Sequence, residues 1–175
     1  RVKRARLTLE VLRRIRAADM APWLRIAIDL AIVTAQRRED VATARFADFR
    51  PDWHVRQRKT GAMLVLPLEL RLDALDLSLA DVLAAARRTG AVSPYLVHQT
   101  RAYGNSPVGS AIWVDTVSRQ FSDVVAGLGI DWGDRTPPTF HELRSLSERL
   151  YSRQGNVSTQ ALLGHRDPRM TATYA

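Results

Sequence analysis

Apolar side chains recur at helical spacing in LEVLRRIRAADM, where Leu9, Leu12, Ile15 and Arg16 keep the helical period and Thr8 stands where an N-cap belongs. A second helix is predicted to open at Pro22 and run to about Ala35, apolar enough to be the central core element. A short third helix, REDVATAR, fades before Pro51. The period then drops to two in WHVRQ and MLVLPL, which with RKTGA between them predict a β-hairpin carrying Lys59 at its turn. PYLVH is expected to add a third short strand. Ser78 and Asp81 form a capping-box pattern ahead of LADVLAAARRTG, and Asp115 is expected to cap TVSRQFSDVVAGLG. After Pro137 and Pro138, Thr139 and Glu142 predict a second capping box and a helix to about Gln154. Ser158 opens a short helix ended by Gly164, and Asp167 with Pro168 read as the start of a last turn or two carrying Tyr174. The pattern is α+β and mainly α: a helical domain with a small three-stranded antiparallel sheet.

Composition narrows the class. At 175 residues, 46% of them hydrophobic and 25% charged, the chain suits one soluble domain with a proper core. Its longest apolar run, at 26–33, is broken by Asp29 and is too short to span a bilayer. Residues 1–7 read as a basic linker; no long apolar stretch follows them, so no secretory signal is expected. The absence of cysteine rules out a disulfide framework and a thiolate metal site. The net charge of +8 points to a polyanion, nucleic acid first, although a ribosomal or membrane-surface protein fits the charge equally. Of 26 basic residues only Lys3 and Lys59 are lysine. Arginine holds phosphate bidentately but keeps its proton, whereas lysine can give one up, so Lys59 is a candidate proton donor.

The remaining candidates concentrate in two places. Arg37 and Arg38 follow the apolar helix, with Glu39 and Asp40 behind them. His141 and Arg144 share a helix face, His165 follows a glycine at a helix end, and Tyr174 stands nine residues further on. Two guanidiniums are a natural clamp for the non-bridging oxygens of a phosphodiester in flight. A tyrosine hydroxyl is a weak nucleophile that a histidine can help to deprotonate, and a lysine on a hairpin can protonate the expelled 5′ oxygen. Such a set breaks DNA by forming a phosphotyrosine and requires neither a metal nor a nucleotide cofactor.

The segments TAQRRED, RKTG, FHELRSLSERLY, LLGH and TATYA stand in an order and spacing that resemble the tyrosine recombinase, or phage integrase, family, nearest to its lambda-type members. The resemblance covers essentially the whole chain. It implies a site-specific DNA recombinase whose tyrosine attacks a DNA phosphate, leaving a 3′-phosphotyrosine and a free 5′ hydroxyl before strand exchange and rejoining. By this resemblance Arg37 and Arg144 are the phosphate clamps, Lys59 is the general acid and His141 assists proton transfer. His165 binds a phosphate oxygen, Tyr174 is the nucleophile, and Asp40 orients Arg37. Arg37, Lys59, Arg144 and His165 would also touch DNA. Residues 8–175 would be the catalytic domain, without the family's N-terminal core-binding domain or its tail beyond the tyrosine. The implied partner is double-stranded DNA at attachment sites, bound as a homotetramer by a full-length protein, with a monomer open for this chain alone. The implied location is the cytoplasm of a bacterial host. One departure stands out: Ala35 replaces the usual glycine in TAQR.

Other residues fit no such role. Arg38 reads as a solvated neighbour, Glu39 as a cap or a solvated carboxylate, and His54 and His98 as structural or surface groups. No pair of histidines has the close spacing of a zinc site. Two rival functions remain open: supercoil relaxation by a type IB topoisomerase-like enzyme, and a non-catalytic DNA-binding module on the same fold.

Overall fold

The computed structural model describes residues 1–164 of the chain. Helix α2 (Pro22–Thr34) is buried almost end to end, as its apolar run predicts, and proline occupies its first turn. Around it pack α3 (Arg38–Ala42), α4 (Leu79–Arg87), α5 (Val114–Gly127) and α6 (Glu142–Gln154). Helix α1 (Leu9–Ala17) is capped by the Thr8 hydroxyl and faces the core through Leu12 and Ile15. The charge that interrupts α2 has a structural reason. Asp29 accepts both Nε and Nη2 of Arg16, at 2.8 and 3.2 Å, which fastens α1 to α2.

The last carbonyls of a helix lack partners within it. Two of those of α2, and the carbonyl just beyond its end, find them on one face of α6. Ser147 Oγ donates to Ile32 O, Tyr151 Oη to Val33 O, and Arg144 Nη1 to Ala35 O. This docking sets where α6 lies, and so where Arg144 lies.

Strands β1 (Trp53–Arg56) and β2 (Met63–Leu66) form the expected antiparallel hairpin, with Trp53 opposite Leu66 and Arg56 opposite Met63. Trp53, Val55, Leu64 and Leu66 turn inward, while Met63 and Val65 face out. A second pair, β3 (Arg71–Leu72) with β4 (Leu77–Ser78), leads into α4 and was not foreseen. Among the described residues the architecture is therefore mainly helical with two small two-stranded sheets, rather than one sheet of three strands. The segment 95–98 makes only single bridges, Tyr95 to Arg45 and His98 to Ala111. Its apolar residues Leu96 and Val97 are both buried side by side, which an alternating strand with one solvated face does not allow.

Two predicted caps are also replaced. The N-cap of α5 is Trp113, and Asp115 sits in the first turn with its side chain in solvent. Helix α6 proper starts at Glu142 after a turn in which Glu142 N donates to Thr139 O, and its N-cap His141 makes no side-chain cap bond. Residues 3–7, expected as linker, lie against the body: Ala5 N donates to Thr136 O, Thr136 N to Lys3 O, and Leu7 is fully buried. The Ser78–Asp81 capping box forms in both directions, at 2.9 and 3.1 Å. Helix α7 (Thr159–Leu163) is capped by Ser158 and closed by Gly164, as predicted.

Ser78→Ala removes one half of that box and should cost about 1 kcal/mol, a fall of roughly 2–4 °C in Tm by thermal melting. The backbone N–H of Ser78 holds the Asp81 carboxyl below its ordinary value of 3.8. A lowered native pKa adds stability that is complete above 3.8 and disappears as pH falls through the native value, so this part of the box should fade in acid.

Candidate active site

Helix α2 ends in a left-handed residue, and that residue is Ala35, with φ of +58°. Glycine adopts this region freely and alanine does so at a cost of roughly 1–2 kcal/mol. The glycine expected here has a backbone reason, and the alanine keeps the same turn under strain. Past the turn, Arg37 stands at the N-cap of α3. Its Nη1 is buried and makes no hydrogen bond among the described residues. A buried donor without an acceptor is costly, and a phosphate oxygen is an acceptor suited to it.

Arg37, Lys59 and His141 line one cleft of about 420 Å³, walled further by Ser118 and Ser122 of α5. Lys59 is exposed on the hairpin turn, as expected, and His141 is exposed at the start of α6. A larger cleft of about 750 Å³ beside Trp23 and Trp113 contains none of the predicted site residues. Arg144 is not among the lining residues; it is 9% exposed and donates Nη1 to Ala35 O at 2.7 Å and Nη2 to Leu163 O at 3.0 Å. Burial first, and the charge of Arg37 second, pull its pKa down from 12.5 to about 10. It stays protonated at neutral pH, and the two guanidiniums lie close enough to repel each other. An anion between them relieves that repulsion.

Asp40 does something other than expected. It makes no ion pair with Arg37 among the described residues. Its Oδ1 instead accepts the backbone N–H of Arg58 at 3.0 Å, and Oδ2 is buried without a partner. Burial raises its pKa, opposed by that N–H and by the charge of Arg37. The carboxylate thus acts on Arg37 through its field and holds the residue next to Lys59 by contact. Arg38 is not a free solvated neighbour either; it bridges to α5 through Ser118 Oγ at 2.7 Å and touches Glu39 at 3.3 Å. His98 is fully buried between Thr89 Oγ1 and Tyr95 O and is structural, while His54 lies 3.4 Å from Arg50 O.

Two glutamines were overlooked. Gln36 Nε2 donates to Thr34 O and to Leu162 O, both at 2.8 Å. Gln57 Nε2 donates to Gln36 Oε1 at 2.9 Å. Gln57 falls in phase with the buried Trp53 and Val55, and that period-two signal could have marked it as an inward polar residue. His165 and Tyr174 lie outside the described residues.

Residues 5–175 match the model of the phage integrase family. The chain is 43% identical to prophage integrase IntE of Escherichia coli (strain K12) over 179 aligned positions, covering 99% of this chain and 47% of that protein. It superposes on a lambda integrase tetramer bound to a Holliday junction with a TM-score of 0.84 at 35% identity, over 99% of this chain and 48% of the other. Against the lambda integrase catalytic core the TM-score is 0.79 at 36% identity, over 93% and 96%. The chain spans about half the length of the curated relatives it matches. With a family match from residue 5 to residue 175 and a 43% identical relative, the chain belongs to the phage integrase family.

Proposed function

We propose that the chain is the catalytic domain of a site-specific DNA recombinase, cutting and rejoining strands through a phosphotyrosine. The observation that carries this reading is the convergence of Arg37, Lys59 and His141 on one cleft, with Arg144 close enough to feel the charge of Arg37. In the proposed step Tyr174 Oη forms a bond to the phosphorus and the bond from phosphorus to the 5′ oxygen breaks. The phenolic proton passes to His141, and the departing 5′ oxygen takes a proton from Lys59. Arg37 and Arg144 hold the negative charge that builds on the non-bridging oxygens, and His165 contributes a further hydrogen bond. The reverse attack by a partner strand's 5′ hydroxyl reseals the backbone.

The relatives supply the wider setting. A lambda integrase has been solved as a tetramer on a Holliday junction. We extend to this protein a tetrameric assembly on double-stranded attachment sites, with a core-binding domain and a tail beyond the tyrosine belonging to the longer protein around residues 8–175. The described residues contain no helix long and apolar enough to cross a membrane. The proposed reaction on DNA implies the cytoplasm of a bacterial host as its location.

Three experiments test the reaction. A nicked suicide substrate should trap a covalent complex with the wild-type chain, and Tyr174→Phe should lose that complex while retaining DNA binding; a phenylalanine variant that still couples to DNA rules out this nucleophile. Arg37→Ala should slow cleavage about 10²–10³-fold, as loss of a transition-state donor does. Arg144→Ala should slow it comparably and also lower Tm, because the carbonyls of Ala35 and Leu163 lose their donor. Lys59→Ala should be slow on an ordinary phosphodiester and recover on a substrate with a bridging 5′ sulfur, a leaving group that needs no proton. Equal rates of Lys59→Ala on both substrates would remove the general-acid role.

A further inference from the structure

The turn that carries Lys59 is exposed, yet it is tied to the interior by a side chain on its first residue. Gln57 is fully buried. Its backbone closes the turn, with Gln57 N donating to Ala62 O and Gly61 N to Gln57 O. Its side-chain amide has three further partners. Oε1 accepts the hydroxyl of Thr60 at 2.8 Å, one residue past Lys59. Nε2 donates to Gln36 Oε1, one residue before Arg37, at 2.9 Å, and to Leu163 O at 3.2 Å. Leu163 O also receives Arg144 Nη2. One amide therefore bonds to the sequence neighbours of two predicted catalytic residues, Lys59 and Arg37, and to a carbonyl that it shares with a third, Arg144.

Gly164 gives independent support. Its φ is +80°, and a Cβ built there would lie 2.4 Å from Gln57 Oε1. The glycine in LLGH is thus required twice, for a left-handed backbone and for the close approach of the Gln57 amide. A buried polar network that is fully satisfied fixes one geometry, because each alternative leaves a desolvated donor or acceptor.

We infer that Gln57 is a positioning residue for proton delivery: it holds the Lys59 turn in register with the Arg37 turn and with the end of α7, from which the chain proceeds to His165 and Tyr174. Gln57 touches no substrate and acts through Lys59. This inference rests on the recombinase reading above and on Lys59 as its general acid.

The experiment compares the wild-type chain, Lys59→Ala, Gln57→Met and Thr60→Val on matched nicked substrates with a bridging 5′ oxygen or a bridging 5′ sulfur, with DNA affinity and Tm measured alongside. Displacing a reacting group by about 1 Å can cost on the order of 10²-fold, so Gln57→Met should be slowed toward that extent on the oxygen substrate. On the sulfur substrate it should return close to the wild-type rate, with DNA affinity unchanged. Thr60→Val, which loses one exposed hydroxyl and leaves the core intact, should show the same split more weakly, and Thr60→Ser should restore the rate. Should Gln57→Met fail to fold, the threonine pair alone decides. Equal losses on both substrates mean a merely structural glutamine and overturn the inference; so do unchanged oxygen rates in both variants. If Lys59→Ala itself gains nothing from sulfur, the general-acid reading falls and this inference falls with it. If the wild type cleaves neither substrate, the recombinase reading is what has failed.

Discussion

Arg144 spends two of its donors on carbonyls that no helix can satisfy for itself, that of Ala35 just beyond α2 and that of Leu163 at the end of α7. The first of these, with Ser147 and Tyr151 on the same face of α6, satisfies the end of α2 and fixes α6 against it, while the second ties α6 to the end of α7. A charge is tolerated at this depth only because its hydrogen bonds are made and because Asp40 and Glu148 offset its field. The same guanidinium is thereby part of the fold and, in the proposed reaction, part of the phosphate site. Its structural bonds leave its remaining donors oriented before any substrate arrives, which is the condition for electrostatic preorganisation.

The arginine next to the α2 turn has the opposite character. Arg37 keeps a buried Nη1 unpartnered among the described residues, and Asp40 stands nearby with an unpartnered Oδ2 without closing on it. Stability alone would favour bringing such groups together. A site that must receive a phosphate favours holding them apart, and the strain of a left-handed Ala35 is borne at the same point.

Most of the helical frame was legible because its signals are local. Thr8, Pro22, Ser78 with Asp81, and Ser158 with Gly164 each act within a few residues of their own helix. The hairpin was legible from its alternation and from the RKTG turn. The β3–β4 pair was not, since two-residue strands are too short to show a period. The α5 cap was misplaced because Asp115 looks like a cap, whereas Trp113 starts the helix with no side-chain bond at all. Within the candidate site, motif order singles out Arg37, Lys59 and His141, which line one cleft, but it does not encode their side-chain partners. Ala35 and Arg144 meet across 109 residues, and Gln36 reaches Leu162 across 126. No local pattern encodes such pairings, and none in the sequence points to the bond from Arg58 N to Asp40 or to the bonds of the Gln57 amide.

The scarcity of lysine has a consequence for chemical control. Acylating reagents attack amines and spare guanidiniums, and the side-chain amines of this chain are Lys3 and Lys59, both exposed. The arginines that attract a polyanion are left intact by such chemistry. Under the proposed mechanism, neutralising the hairpin amine by acylation would therefore separate two uses of positive charge, silencing the proposed proton donor while the guanidiniums keep their charge.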